Sequence, residues 1–282
     1  MSKDKVKLGD WELIALSDGF FRLDGGSMFG IIPKPLWESK KPADDRNRIR
    51  LGLNSLVLKG PEAVVVVETG IGRKMTAKEE DIYGLESEGT LIERLQSKGI
   101  MPEEVDFVIH SHLHLDHCGW ATSGEDGDLS PTFPKARYIV QIREWEAALN
   151  PDLRSRASYD QRNFTLLEQK GLLAAVDGET QVVKGLKVVH TGGHTPGHQV
   201  VYLESGDSRC VFLGDLVPTQ AHIKVHWHMG WDLFPLELMR VKKKLLNEAL
   251  HHHDLLFFTH EDENPFAYLE GGEKHQDLVP LN

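Results

Sequence analysis

Between positions 112 and 117 the chain reads His112-Leu-His114-Leu-Asp116-His117, three imidazoles and a carboxylate within six residues. Imidazole nitrogen and carboxylate oxygen are ligands for zinc, iron and manganese. The run follows an apolar, strand-like stretch, Val105 to Ile109. In extended chain His112 and His114 project from one face, because side chains alternate with period two. Asp116 and His117 come where the chain must begin to turn, so they can face a second point. One short segment can therefore serve two adjacent metal ions. A lone His-x-His is equally well explained by backbone hydrogen bonding. Four such groups beside a buried strand are costly to desolvate without a shared partner.

Further candidate ligands stand at the ends of other apolar runs. His194 lies in Thr191-Gly-Gly-His-Thr-Pro-Gly-His198, after the strand-like Leu186 to His190. Asp215 ends Val211-Phe-Leu-Gly-Asp, and His260 ends Leu255-Leu-Phe-Phe-Thr-His. Each alone reads as a turn residue. Together with the first motif they form an ordered series of seven ligands, enough for a dinuclear site.

That series resembles the metallo-β-lactamase superfamily, with the motif order matched over roughly residues 50–262. The resemblance implies that His112, His114 and His194 hold one metal, that Asp116, His117 and His260 hold the second, and that Asp215 bridges them. Zinc β-lactamases of the cysteine type carry a cysteine where this chain has Asp215. The aspartate is shared with glyoxalase II and lactonases and points away from antibiotic hydrolysis. Outside the ligands, Asp24-Gly-Gly-Ser-Met-Phe-Gly-Ile-Ile-Pro-Lys-Pro-Leu-Trp37, Asn47 to Leu51, Gly214 to Thr219, His222 and Trp231-Asp-Leu-Phe-Pro235 are similar to quorum-quenching N-acyl homoserine lactonases and methyl parathion hydrolases. One departure is Pro218, where some of those lactonases carry a tyrosine thought to assist the substrate carbonyl. The implied fold is α/β, a four-layer αββα sandwich with the metals at one edge of the paired sheets.

The elements that would position these residues are legible as alternating patterns. Strands are predicted at Glu12 to Leu16, Ser55 to Leu58, Ala63 to Val67, Phe107 to Ile109, Tyr138 to Gln141, Val182 to Val189, Val200 to Leu203, Cys210 to Leu213 and Leu255 to Phe258. Helices are predicted at Thr90 to Ser97, Gln141 to Leu149 and Leu236 to Leu250. The last has Leu238, Val241, Leu245 and Ala249 on one stripe, and it is expected to end near His251-His-His253, where cations suit the helix dipole. Mixed strands and helices point to α/β layers. No linker or repeat interrupts the 282 residues, so one domain over 1–282 is expected, with the 20–50 segment as a substrate-wall and dimer extension.

A net charge of −11 argues against nonspecific nucleic-acid binding, which needs a basic footprint. The basic stretch Lys34 to Arg50 is interrupted by Glu38, Asp44 and Asp45 and reads as solvated surface. No twenty-residue apolar span or leader-like start is present, so a soluble cytoplasmic protein without membrane contact is expected. Cys118 reads as a small buried apolar residue, and a Cys118–Cys210 disulfide is not expected in a reducing compartment. Met28, Phe29, Ile31, Ile32, Leu36 and Trp37 form an apolar patch beside glycines. They could be ordinary core, a dimer contact or a wall for an acyl chain, and the resemblance favours wall and dimer contact together. Met28, Phe29, Ile31, Trp37 and His222 are therefore the candidate substrate-binding residues. His226 and His228 form a looser group with His222, either at a pocket mouth or on a polar loop.

Two metal ions about 3.5–4 Å apart can share a hydroxide at neutral pH. The expected cofactor is a pair of divalent ions, zinc first, with iron, cobalt or manganese as alternatives. The expected reaction is hydroxide attack on the carbonyl of a small lactone or ester substrate, above all an N-acyl homoserine lactone. Asp116 and Asp215 are the catalytic candidates: Asp116 to pass a proton to the leaving alkoxide, Asp215 to hold the metals at fixed separation. Glu68, Thr195 and Thr259 are positional candidates for orienting the histidines. Organophosphate triester hydrolysis and a di-iron redox or sensing centre are the alternative readings. A homodimer is the expected assembly.

Overall fold

The computed structural model describes residues 4–125, 127–272 and 275–281. The strands are β1 (Lys5–Leu8), β2 (Trp11–Asp24), β3 (Arg48–Lys59), β4 (Val64–Val67), β5 (Phe107–Ile109), β6 (Thr122–Ser123), β7 (Ser130–Pro131), β8 (Arg137–Gln141), β9 (Leu173–Val176), β10 (Thr180–Val183), β11 (Leu186–His190), β12 (Gln199–Ser205), β13 (Ser208–Phe212), β14 (Leu255–Phe257), β15 (Phe266–Gly272) and β16 (His275–Pro280). The α-helices are α1 (Gly25–Phe29), α2 (Lys34–Trp37), α3 (Ala77–Tyr83), α4 (Leu91–Ser97), α5 (Leu115–Cys118), α6 (Ile142–Leu149), α7 (Thr165–Gln169) and α8 (Pro235–His252).

Two seven-stranded sheets carry the fold, in the orders β1-β2-β3-β4-β5-β8-β9 and β10-β11-β12-β13-β14-β15-β16. Alternation along the strands sorts their side chains into two cores. Leu13, Leu56, Leu58, Val65 and Val67 face the second sheet, where they meet Val188, Val201, Phe212 and Phe257. Their neighbours Ile14, Leu16, Val57 and Val66 point the other way, towards Leu91 and Leu95 of α4 and Trp145 of α6. On the far side of the second sheet, Val200, Val211 and Leu256 pack against Leu238, Leu245 and Ala249 of α8. The layers run helix, sheet, sheet, helix, as the αββα expectation had them. No helix among the described residues is long and apolar enough to cross a membrane.

Local chemistry explains the helix boundaries. Thr90 and Glu93 form a capping box at the start of α4. The helix α8 begins with Pro235 in its first turn and ends on His253 at φ 54°, in the left-handed conformation. The predicted strand Val182 to Val189 is corrected: it is a hairpin, broken at Lys184-Gly185, where Gly185 takes φ 79°. Both arms are apolar and the turn spans two residues, so hydropathy alone runs through it. The solvated reading of Lys34 to Arg50 also needs correction at Lys41, which is buried and held by Glu261 and Asp262. Both cysteines are buried and free.

Candidate metal centre

Every candidate ligand follows the C-terminal end of a strand. β5 and β4 run parallel and end together, Val67 opposite Ile109, and the chain leaving β5 supplies His112, His114, Asp116 and His117. His114 caps α5, whose one turn carries Asp116 and His117. The loop after β11 supplies His194, the turn after β13 supplies Asp215, and the segment after β14 supplies His260. Ends of parallel strands leave loops free to carry chemistry while the sheet fixes where they start.

These loops converge on two groups of ligand atoms. His112, His114 and His194 form one, Asp116, His117 and His260 the other, each with its atoms within 4.8 Å of one another. Asp215 lies between them. Its Oδ2 is 3.3 Å from His194 Nε2 and 4.0 Å from His112 Nε2. Its Oδ1 is 3.3 Å from His260 Nε2 and 3.6 Å from His117 Nε2. Asp116 Oδ2 closes the second group at 3.5 Å from His260 Nε2 and 3.6 Å from His117 Nε2.

The chemistry of this donor set fits two cations. Tetrahedral zinc with bonds of about 2.0–2.1 Å keeps its ligand atoms about 3.3 Å apart. His114 Nδ1 and His194 Nε2 stand 3.2 Å apart, as do His117 Nε2 and His260 Nε2. His112 Nε2 and Asp215 Oδ1 are buried without a hydrogen-bond partner among the described residues, a costly state that a bound cation relieves. Burial, reinforced by neighbouring imidazoles, drives His112 and His114 well below the ordinary histidine pKa, towards the neutral form a metal requires. Burial opposes charge at His117 too, but Asp116, Asp215 and Glu68 outweigh it and raise its pKa well above the usual value. Burial likewise works against ionising Asp215, and His117, His260 and His194 reverse this, holding its pKa well below the usual carboxylate range.

A surrounding set of polar groups aims the imidazoles. His194 Nδ1 donates to Asp232 Oδ1 at 2.8 Å, which leaves Nε2 bare towards the centre. His260 Nδ1 donates to the Gly52 carbonyl at 2.8 Å, with the same result. His112 Nδ1 is 2.9 Å from Ser111 Oγ. Glu68, one of the three positional candidates, accepts from Ser111 N–H and stands 3.5 Å from His117 Nδ1. It holds φ 62°, an uncommon conformation for a residue with a side chain. The other two candidates are corrected: Thr195 donates to Glu144, and Thr259 to the Asn54 carbonyl. Asp232, His198 and Glu144 were missed as positioning groups. His198 Nε2 accepts from Asp215 N–H at 3.0 Å and so fixes the central carboxylate's backbone. Buried Glu144 accepts from Leu113 N–H and from Tyr159, whose ring packs against His114.

Above the ligands lies a cleft of about 630 Å³, counting its open mouth, walled by Phe21, Leu23, Met28, Tyr83, Leu115, Met229 and Trp231. Of the five candidate substrate-binding residues, only Met28 lies on this wall. Phe29, Trp37 and His222 are corrected to buried support: Phe29 stacks between Trp37 at 5.2 Å and His222 at 4.5 Å. His222 Nε2 is 2.8 Å from the Met28 carbonyl, so this stack holds Met28 in place from behind. Ile31 is 80% exposed and is not part of the wall. Of the three readings of the apolar patch, Phe29 and Trp37 are ordinary core and Met28 is wall, because α1 is a single turn and its side chains leave in different directions.

Comparison with known proteins agrees with this architecture. N-acyl homoserine lactonase AiiA of Bacillus thuringiensis subsp. kurstaki is 27% identical over 168 residues, covering 56% of this chain and 60% of that protein. The match therefore spans less than two thirds of that relative's length. N-acyl homoserine lactonase AttM of Agrobacterium fabrum is 29% identical over 194 residues, covering 66% of this chain and 70% of AttM. Among solved structures, a protein described as a "probable metal-dependent hydrolase" from Staphylococcus aureus superposes with a TM-score of 0.91 at 28% identity, covering 98% of this chain and 99% of that one. AidC, described as a dizinc quorum-quenching lactonase, shares the fold with a TM-score of 0.79 at 20% identity, over 99% of this chain and 97% of its own. The sequence profile of the metallo-β-lactamase superfamily matches residues 49–260, the span that carries all seven candidate ligands, and the chain belongs to that superfamily of metal-dependent hydrolases.

Proposed function

We propose that this protein opens lactone rings, with N-acyl homoserine lactones as the substrate class, at a dinuclear centre held by His112, His114, Asp116, His117, His194, Asp215 and His260. The observation that carries the proposal is the Asp215 carboxylate, one oxygen towards each ligand group, at the floor of an apolar-walled cleft. Named lactonases among the relatives support the choice of substrate. When bound, two divalent ions, zinc in our assignment, lower the pKa of water to near 7 and polarise a carbonyl oxygen.

The chain's own residues supply position and proton traffic. Asp215 fixes the spacing of the two groups. Asp116 has one oxygen engaged with His117 and His260. Its other oxygen takes the proton left on the attacking oxygen and passes it to the alkoxide leaving the ring. Phe21, Leu23, Met28, Met229 and Trp231 take up the acyl chain and exclude water from the ring-opening face. The same wall favours a neutral, partly apolar ester over a charged substrate. The assembly we assign is a homodimer of single-domain chains in the cytoplasm, joined through the 20–50 segment, where Ile31 and Leu36 are 80% and 56% exposed.

The test is a proton-release screen of metal-loaded protein against acyl-homoserine lactones of several chain lengths, simple γ- and δ-lactones, and paraoxon-type triesters. Lactone turnover that depends on metal supports the proposal. No lactone turnover in any series removes it, and triester turnover alone would replace it with phosphotriester hydrolysis.

A further inference from the structure

Tyr83 stands on the cleft wall with its hydroxyl uncommitted. Tyr138 and Tyr159 both use their hydroxyls within the protein, on Ala121 and Glu144. Tyr202 and Tyr268 lie on the second sheet. Tyr83 and Asp116 both line the cleft, and among the described residues the Tyr83 hydroxyl has no hydrogen-bond partner. Its ring packs into the cluster of Phe21, Leu23 and Met28, so the phenol has an anchored body and a free polar tip.

The helix that carries it is fastened beyond what its own packing requires. α3 has seven residues, none of them buried. A helix this short is marginal in water without external support. Thr76 and Glu79 close a capping box at its start. At its end the Arg48 guanidinium donates to the carbonyls of Asp81 and Ile82, both at 3.0 Å, and Asp44 holds Arg48 in turn. Gly84 then turns the chain at φ 50°. The side chain fixed by these contacts and facing the cleft is Tyr83.

We propose that Tyr83 is a catalytic residue, its phenol donating a hydrogen bond to the oxygen that leaves the acyl carbon, on the Asp116 side of the cleft. The inference rests on the hydrolase reading above. Charge grows on the leaving oxygen as the carbon–oxygen bond breaks, and a donor held in the cleft wall costs little reorganisation at that moment. Tyr83 holds its proton throughout; Asp116 delivers the one that ends on the alcohol.

The experiment uses metal-loaded wild-type protein and Tyr83→Phe, which keeps the ring packing. N-hexanoyl homoserine lactone and N-hexanoyl homocysteine thiolactone differ by one ring atom, and a thiolate leaves without a strong hydrogen bond. The lactone kcat/KM should fall about 10- to 100-fold in the variant, carried by kcat, and the thiolactone value should stay within about threefold. Calorimetric binding of the ring-opened product, N-hexanoyl homoserine, should weaken about tenfold. Metal content should be unchanged. Equal losses on both substrates, an unchanged lactone rate, or loss of metal from the variant would each overturn the assignment. Should the wild-type protein open no lactone, the functional reading fails separately. Tyr83 is then judged by the same comparison on whichever oxygen-ester and thioester pair the protein hydrolyses.

Discussion

Asp232→Asn changes one atom, and the structure dictates a large response. Asp232 Oδ1 accepts from His194 Nδ1–H at 2.8 Å, and its Oδ2 accepts from Met229 N–H at 2.7 Å. The carboxylate is 2% exposed, so water cannot substitute for either contact. Asparagine has one acceptor and one donor. With its oxygen towards His194, its amide confronts Met229 N–H, donor against donor. With its oxygen towards Met229, its amide meets His194 Nδ1, which can then only accept. The imidazole proton must move to Nε2, the nitrogen that faces His112, His114 and Asp215. The first arrangement leaves a buried donor unsatisfied, about 1–3 kcal/mol. The second blocks a ligand atom outright. Either way the first ligand group should lose about 10- to 100-fold in metal affinity, the range for partners that orient metal-binding histidines. The second group shares no contact with Asp232 and should change by less than about threefold. Competition titration against a chromophoric chelator resolves the two affinities. Equal weakening of both sites, or a lowered melting temperature with both affinities intact, would refute the claim that Asp232 acts by fixing the His194 tautomer.

Asp116→Ala or Asp215→Ala should abolish hydrolysis, well beyond the about 10- to 100-fold loss of an orienting residue; near-wild-type turnover in metal-replete protein would reject their assigned roles. Gly214→Ala would place a Cβ 2.7 Å from His198 Nε2 and 2.8 Å from Ser111 Cβ at φ 51°. It should destabilise the chelator-treated protein by about 1–3 kcal/mol or more, read as a lowered urea midpoint. Lys242 gives a pH signature. Burial pushes its pKa from 10.5 down to about 7, while its Nζ donates to the His222 and Trp227 carbonyls. Between those values the unfolded chain binds the extra proton, so wild-type stability should rise with pH by up to about 1.4 kcal/mol per unit and be lost as pH falls through 7. Lys242→Met should remove that part of the slope in urea unfolding near pH 7 and 10, and parallel slopes for the two proteins would sink the assignment.

The strands legible in the sequence are those whose two faces both carry apolar residues, such as Val64–Val67 and Leu255–Phe257, buried between layers. β16 was missed. It pairs with β15 alone at the sheet edge and reads Gln276-Asp277-Leu278, without the apolar density that marks a central strand. β10 and β11 were merged because two apolar arms joined by Lys184-Gly185 look continuous in hydropathy; the glycine's positive φ is the only local mark of the reversal.

For the centre, the candidate ligand series was legible because seven unusual residues recur at strand ends, and residue type already suggests their chemistry. The groups that aim them were not, for a physical reason that Asp232 makes plain. An aspartate after a tryptophan in a loop carries no local sign of its partner, 38 positions away. What selects it is the requirement that His194 present Nε2 and not Nδ1, a demand visible only once the ring's surroundings are known. The same holds for Tyr83. It closes a short exposed helix and reads as surface until Arg48, on a distant strand, is seen to grip that helix from β3. Ligation is written in residue identity. Orientation is written in contacts between elements, and that is where mutations should separate binding of metal from use of it.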